Sequence, residues 1–214
     1  IKHVAGITMA QVLAASAVGA VTHGRGAMIH RQLAVAGGAA MAAGSLIGAI
    51  GSRYVSGRGL LTIFAVMTSV ALPLMFVRPA PHGEAVGDGT HVPFKRATAV
   101  IWPGLIGLAS GLVGAGGAFL LVPVLIAILR VPVRVSIGTS LAMITASALT
   151  GFLGKAITGQ IPLASALAVI AGSLTGAPLG AKVSHRAPIT VLRVVLGVLI
   201  AVVSLRVWAD VLWH

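Results

Sequence analysis

Residues 111–123 read GLVGAGGAFLLVP and place four glycines within seven residues, ahead of an apolar run that ends at Pro123. A glycine inside a helix costs about 1 kcal/mol relative to alanine, so this stretch is a weak point for a helix. Both of its flanks are nonetheless continuously apolar. The stretch therefore predicts a break in a hydrophobic segment, and its meaning depends on whether that segment lies in a membrane.

The composition is that of an integral membrane protein. Of the 214 residues, 57% are hydrophobic and only 8% are charged, and the mean hydropathy is +1.06. A soluble domain carries about 25% charged residues. The strands of a membrane barrel would alternate apolar and polar residues, whereas the apolar runs here are continuous and near helix-spanning length. The sequence therefore predicts α-helices that span a membrane.

The charge is strongly basic, with fifteen Lys and Arg against three Asp and Glu. In membrane proteins, basic residues flank the helices and concentrate on the cytoplasmic side. We favour this interpretation over nucleic-acid binding, because basic and aromatic residues are not interleaved and no RNA-binding motif is present. A positive interior also suits an anionic substrate. The absence of cysteine excludes disulfides, thiolate metal sites and cysteine nucleophiles.

A hydropathy window of about 19 residues predicts an all-α, polytopic membrane helix bundle. About six regular spans lie near residues 4–21, 33–51, 60–77, 136–153, 161–180 and 189–208. The apolar segment near 97–129 is too long for one simple crossing and is broken by glycine and proline. A central linker rich in glycine and proline occupies 78–96. Pro178 is expected to end or kink its helix.

Two repeats are indicated within the chain. GSLIGA at Gly44 matches GSLTGA at Gly172, and VAGITMAQ aligns with SIGTSLAM when Gly6 meets Gly138. We interpret residues 1–77 as a first repeat and 97–214 as a second, with chance identity in Ala/Gly-rich helices as the alternative. The glycine-rich segment of the second repeat has no counterpart after Ile1. The first repeat is therefore expected to lack its opening glycine-rich segment.

The relative orientation of the two repeats stays open. If the glycine-rich segment crosses once, the repeats are parallel; if it doubles back, they are inverted. The inverted arrangement gathers most Lys and Arg residues on one face and leaves Lys155, Arg53 and Arg58 opposite, beside Lys2. The parallel arrangement divides them nearly evenly, so the tendency of basic residues to stay inside mildly favours inversion.

The glycine cluster itself has two interpretations in a membrane. A phosphate loop would need Lys-Ser or Lys-Thr after its glycine, and a dinucleotide fingerprint would need a third glycine between a strand and a helix. Close packing of small residues suits Gly104, Gly107 and Gly111. An unwound helix that exposes backbone N–H groups to an anion suits the tighter GAGG that follows.

The candidate binding residues begin with the cluster. Gly114, Gly116 and Gly117 could present backbone donors to an anion, with close helix packing as the alternative. Thr139 and Ser140 begin the predicted next span, and their hydroxyls could donate to the same anion. Their alternative role is to cap the start of that helix.

Three further candidates have polar side chains. Thr8 occupies the first-repeat position that corresponds to Ser140. Gln11 lies inside the first span, where an amide either joins two helices or contacts a ligand. Lys155 corresponds to His23 of the first repeat. It either extends its ammonium to the membrane surface or attracts anions at the mouth of a pathway.

Catalytic and metal chemistry find little support. Glu84 and Asp88 lie in the linker and Asp210 lies near the last helix end, so no carboxylate falls inside a predicted span. The histidines lie in predicted loops or termini, at positions 3, 23, 30, 82, 91, 185 and 214, without a metal-binding spacing. We predict no catalytic residue, metal or cofactor, and a protein that is not an enzyme.

GLASGLVGAGGAFLLVPVL, VSIGTSLAMITASALTG and GSLTGAPLGAKVSHR together resemble the second half of the sulfite exporter (TauE/SafE) family of membrane permeases. The resemblance covers about residues 103–193, and the family's N-terminal glycine-rich motif is absent from the chain. It implies a permease in the bacterial inner membrane for small anions such as sulfite, organosulfonates, thiosulfate or carboxylates. The bilayer would be its other partner, and homo-oligomerisation stays open. The alternative function is a non-transporting scaffold or complex subunit.

Overall fold

The computed structural model describes residues 2–23, 29–76, 96–131, 133–186 and 189–213. Within these ranges the chain forms eight α-helices and no strand. They are α1 (Lys2–His23), α2 (Arg31–Gly51), α3 (Gly57–Phe76), α4 (Arg96–Val113), α5 (Ala118–Ala127), α6 (Val133–Ile157), α7 (Leu163–Arg186) and α8 (Ile189–Trp213). The predicted all-α class is confirmed. The predicted linker lies outside the described residues except for Arg96, where α4 begins.

Six of the described helices are long and apolar enough to cross a membrane, namely α1, α2, α3, α4, α6 and α8. The number agrees with the prediction, but its members differ. The helix α4 is long enough by itself, and of α7 only the part Ala164–Gly180 was compared, so the predicted span there stays a prediction. The helix α7 continues through Pro178 to Arg186, so Pro178 does not end it, and the alternative, a kink, stays a prediction.

Many large apolar side chains lie on the outside of the bundle. Val35, Ile157 and Leu205 are each more than 70% exposed. Buried positions combine alanine, glycine and serine with leucine and methionine. Lipid is as apolar as leucine, so membrane helices associate through close packing of small residues and turn their large ones outward. The distribution therefore fits a bundle surrounded by lipid.

The centre of the bundle is α2, which packs against α4 and α6. At two glycines of α2, the contact with α4 leaves no room for even a β-carbon. A β-carbon on Gly44 would meet the carbonyl oxygen of Gly104, and one on Gly48 would meet that of Leu108. Backbone therefore lies directly against backbone along this interface.

Glycines of α4 make the reciprocal contacts. A β-carbon on Gly107 would collide with the backbone of Met41, and one on Gly111 with that of Ser45. A β-carbon on Gly104 would only reach ordinary contact, at 3.8 Å from Ala40. The packing interpretation is therefore correct for Gly107 and Gly111, while Gly104 would tolerate a methyl group.

The contacts of α2 also give the directions of its neighbours. Met41 lies beside Gly107 and Ser45 beside Gly111, so α2 and α4 run parallel. Gly38 lies beside Met143, in the first half of α6, and the end of α2 reaches Lys155, near the end of α6. Thus α4 and α6 run the same way. The chain between them must return to its starting side, and α5 is the returning helix.

The helices α1 and α6 run antiparallel. Gly19 lies beside Leu141, near the start of α6, and Met9 lies beside Gly151, near its end. A shift of 132 residues converts one contact into the other, because Gly19 corresponds to Gly151 and Met9 to Leu141. Two inverted repeats related by an axis between α1 and α6 would produce this exchange.

The pair α3 and α8 is also antiparallel. The hydroxyl oxygens of Ser69 and Ser204 lie 3.4 Å apart, while Phe76 at the end of α3 lies against Gly197, nearer the start of α8. The predicted repeat equivalents α1 and α6, and α3 and α8, thus run in opposite directions. The directions favour the inverted arrangement over the parallel one, and the repeat itself stays a prediction.

Candidate functional site

The helix break predicted at GAGG is present. The helix α4 ends at Val113 and α5 begins at Ala118. Between them Gly114, Gly116 and Gly117 have φ angles of 84°, 70° and 65°. These values lie in the left-handed region, which a residue with a β-carbon adopts only at a cost. The chain therefore unwinds here because its glycines permit the conformation.

Neighbouring elements enclose the break closely. A β-carbon on Gly114 would collide with the backbone of Ala5, and one on Gly116 would collide with the side chain of Val12. Both of these neighbours belong to α1. Glycine is thus required twice, for the backbone angle and for the space against α1.

Gly117 places the start of α5 near the middle of the bundle. A β-carbon there would lie 3.2 Å from the Cε of Met41 and 3.2 Å from the Cβ of Ser110. Met41 occupies the middle of α2, and Ser110 precedes the end of α4 by one turn. The break therefore extends from the side of α1 to the centre of the bundle.

The start of α5 offers backbone donors. Its first helical hydrogen bonds run from the N–H groups of Leu120 and Leu121 to the carbonyl oxygen of Gly117, at 3.2 and 2.9 Å. The N–H groups at the start of any helix have no partner inside it, and Gly117 has no side chain that could cap them. The positive end of the helix dipole adds to the attraction for a negative group.

A buried hydroxyl lies next to these donors. Ser110 is fully buried, and its Oγ has no hydrogen-bond partner among the described residues. Ser45 and Ser147 share both properties. Most buried polar groups in proteins are hydrogen-bonded, so such hydroxyls point to a ligand or water. We did not predict these serines; the position of Ser110 one turn before Gly114 was the available signal.

Thr8 is brought to the break as predicted, but with a different bond. Its Oγ1 donates to the carbonyl oxygen of Gly114 at 2.9 Å, with the carbonyl oxygens of Val4 and Ala5 of its own helix at 3.0 and 3.1 Å as competing acceptors. The hydroxyl therefore joins α1 to the first residue of the break. In this arrangement it fixes the backbone, and its proton points toward a carbonyl.

Thr139 and Ser140 are fully or almost fully buried, but their hydrogen bonds lie away from the break. Thr139 Oγ1 accepts from the backbone N–H of His30 at 3.1 Å, and Ser140 donates to the carbonyl of Ile137 at 2.9 Å. Because α6 begins at Val133, neither residue caps it, and that alternative is wrong.

His30 has a more specific role than that of a loop histidine. It is buried, and its Nδ1 accepts from the backbone N–H of Leu33 at 3.2 Å, which caps the start of α2. Gln11 is exposed on α1. The structure therefore does not bring its amide to the break.

Lys155 is fully buried, so the expectation that it extends to the membrane surface is wrong. Its Nζ donates to Ser52 Oγ at 3.1 Å, to Gln160 Oε1 at 3.3 Å and to the carbonyl oxygen of Leu112 at 3.4 Å. Leu112 lies in the last turn of α4, two residues before Gly114. The ammonium therefore lies at the beginning of the break, and the partner Gln160 was not predicted.

Helices of spanning length, large apolar side chains on the outside and a glycine-broken helix define a polytopic α-helical membrane protein. The chain belongs to the sulfite exporter TauE/SafE family, whose model matches residues 1–207. This membership confirms the resemblance noted in the sequence. No solved structure matches the chain.

Bacterial proteins with transporter names are similar to the chain. "Probable membrane transporter protein YunE" of Bacillus subtilis is 27% identical over 156 residues, which is 67% of this chain and 57% of that protein. A "Probable membrane transporter protein" of Xylella fastidiosa is 31% identical over 175 residues, 78% of this chain and 66% of that protein. The chain therefore spans less than two thirds of these relatives.

Proposed function

We propose that this chain belongs to a membrane transporter of small anions, with sulfite, organosulfonates and related sulfur-containing or carboxylate anions as candidates. The observation that carries the proposal is the start of α5 beside Ser110. Left-handed glycines expose backbone donors in the centre of the bundle, next to a buried hydroxyl without a partner among the described residues. The names of the relatives, which say only "membrane transporter", agree with it.

The proposed site binds an anion through neutral donors. An anion leaves water at a large cost unless hydrogen bonds replace its hydration. A sulfite or sulfonate group presents several oxygens, which suits the N–H groups at the start of α5 and the hydroxyl of Ser110. The helix dipole stabilises the negative charge without a full positive charge in contact, so the anion is held and can also be released.

Transport requires the site to face each side of the membrane in turn. In inverted-repeat transporters one repeat moves against the other around a central site. Here α1 and α6 pack against each other at two matching contacts. Met9 of α1 lies on Gly151 of α6, and Leu141 of α6 lies on Gly19 of α1. We propose this contact as the surface on which the two halves move, within the bacterial inner membrane.

Uptake into liposomes tests the proposal. The purified protein is reconstituted and supplied with labelled sulfite, thiosulfate or sulfoacetate, with chloride for comparison and protein-free liposomes as the blank. We expect uptake of at least one sulfur anion above the blank, with little uptake of chloride. If a folded protein moved none of them, the proposal would be wrong and a non-transporting scaffold would become the better account.

A further inference from the structure

Lys155 occupies a second polar site. It lies where α4 enters the break, whereas the proposed anion site lies where α5 leaves it. The anion site is the N-terminal end of α5, where N–H groups point outward. The lysine lies at the C-terminal end of α4, where carbonyl groups point outward, and its ammonium donates to one of them, that of Leu112. The break therefore offers opposite polarity at its two ends.

Three helix ends converge on the ammonium. Ser52 is the C-cap of α2, Leu112 lies in the last turn of α4, and Lys155 itself lies in the last turn of α6. The C-terminal end of each helix carries a partial negative charge of about half an electron. The contact oxygens of Ser52, Leu112 and Gln160 are all neutral acceptors. This surrounding stabilises a cation through dipoles.

Sites of this composition have a known use in membrane transporters. There, unwound backbone carbonyls and the C-terminal ends of broken helices hold the sodium ion or proton that drives transport. In this chain an amine that can itself carry a proton stands among such groups. We propose that Lys155 binds and releases a proton that moves together with the anion. This inference rests on the proposed function and adds the coupling ion to it.

The proton is coupled through the carbonyl of Leu112. A protonated amine has three N–H donors and a positive charge, whereas a neutral amine has two N–H donors and no charge. If the end of α4 moves, the ammonium loses one acceptor and one helix dipole. Its N–H bond then breaks heterolytically, and the proton passes to water on the side that has opened. By linkage, a proton on Lys155 favours the arrangement in which α4 reaches it.

The anion and the proton also assist each other electrostatically. A positive charge in a poorly hydrated interior is costly, and a negative charge nearby lowers that cost. Binding of an anion at the start of α5 offsets that charge, and a protonated Lys155 in turn attracts the anion. Joint loading and joint release are therefore favoured over loading of either ion alone.

The titratable side chains described on the surrounding elements are exposed or lie at another helix end. His3 on α1 is exposed, as are Arg53 and Tyr54 after α2, which stack on each other at 4.5 Å. The last two turns of α4 and the segment 158–162 contain no titratable residue, and the side chain of Lys2 lies outside the described part. His30, which is also buried, caps the opposite end of α2.

Thiosulfate is a suitable probe, because it stays ionised and does not cross lipid as a neutral acid. Liposomes containing the protein are given an interior more alkaline than the medium, with the voltage held at zero by potassium and valinomycin. One proton per anion predicts about tenfold accumulation for each pH unit of gradient. A pH dye inside the same vesicles should report acidification when thiosulfate enters.

The variant Lys155→Met keeps most of the length of the side chain and removes the proton site. We expect it to lose gradient-driven accumulation. Exchange of labelled for unlabelled thiosulfate, which needs no net proton movement, should continue with a raised KM, because the charge that attracts the anion is gone. Arg58→Met, which removes an exposed cation after the same end of α2, should behave as wild type. Accumulation that persists in folded Lys155→Met would overturn the inference.

The wild-type protein gives an independent answer if Lys155→Met does not fold. Entry of thiosulfate with a flat internal pH, or accumulation that follows a sodium gradient instead, would contradict proton coupling. In both cases exchange of thiosulfate would still support the proposed transport function. Absence of exchange for every sulfur anion would contradict the transport function and, with it, this inference.

Discussion

The hydroxyl of Thr8 donates a 2.9 Å hydrogen bond to the carbonyl oxygen of Gly114 and so joins α1 to the first residue of the break. The two residues are separated by 106 positions in the sequence. Two residues earlier, the carbonyl of Leu112 accepts from Lys155. Side chains of α1 and α6 thus contact one carbonyl in the last turn of α4 and one at the first residue of the break.

The first prediction concerns Thr8. Thr8→Val keeps the shape of the side chain and removes the bond to Gly114, which contributes about 1 kcal/mol. We expect a folded protein with slower uptake, because the break is less firmly held. Thr62→Val is the matched control, since Thr62 bonds only within its own helix, to the carbonyl of Arg58. Equal uptake rates for the two variants would remove the role assigned to Thr8.

Ser110 should affect binding and leave stability unchanged. Ser110→Ala removes a buried hydroxyl that has no partner among the described residues, so the melting temperature should stay equal or rise. A hydrogen bond to a charged ligand is worth about 1.5–3 kcal/mol, which predicts a KM raised roughly tenfold or more.

Ser136→Ala is the control for Ser110→Ala, because it should change stability and leave anion binding unchanged. Ser136 is also fully buried, but its hydroxyl donates to the carbonyl of Val131 at 3.2 Å. Its removal should lower stability by about 1 kcal/mol and leave the KM of uptake unchanged. An unchanged KM in Ser110→Ala, measured beside this control, would argue against an anion at the start of α5.

Glycines at matched repeat positions should differ in their tolerance of alanine. A β-carbon on Gly48 would collide with the backbone of Leu108, whereas one on Gly176 meets nothing within 4 Å. Gly48→Ala should therefore lower the free energy of unfolding by about 1–3 kcal/mol through overpacking, and the melting temperature should fall with it. Gly176→Ala should be neutral or stabilising by up to about 1 kcal/mol, because alanine is the better helix former. Similar melting temperatures would contradict the α2–α4 interface described above.

The orientation in the membrane can be tested with single cysteines, since the chain has none. Arg53 follows the end of α2 and Arg96 begins the parallel helix α4, and both are exposed, at opposite ends of the bundle. The side of Arg96 also carries Arg31 and Arg130, so it should be cytoplasmic. We expect an impermeant thiol reagent added to intact cells to label Arg53→Cys and to spare Arg96→Cys. The reverse labelling would invert the assigned orientation.

Features set by local sequence were predictable. Hydropathy located α1, α2 and α3 to within a few residues, although α7 and α8 extend beyond their predicted ends. GAGG located the break, because backbone conformation there depends on the glycines themselves. A β-carbon on Gly114 or Gly116 would collide with α1, so these glycines are also needed for packing. No local sequence pattern reveals that second role. The packing of Gly107 and Gly111 followed from their spacing along α4.

Features set by distant neighbours were not predictable. A lysine near a helix end normally extends to the membrane surface, and Lys155 is buried because the ends of α2 and α4 meet it. The partners Ser52 and Leu112 lie 103 and 43 residues away. Thr139 likewise bonds to His30 across the bundle, so its distance from the break depends on the fold.

Protection of a cysteine in the break tests the central claim most directly. In Ser110→Cys the thiol stands where the proposed site needs a donor, and a small permeant maleimide reports its exposure. Sulfoacetate, which does not react with maleimides, should slow this labelling in proportion to its binding, whereas chloride should not. Labelling of a control cysteine at Arg53 should be unaffected by either anion. If sulfoacetate entered the vesicles without slowing the labelling at position 110, the broken helix would not be where the anion binds.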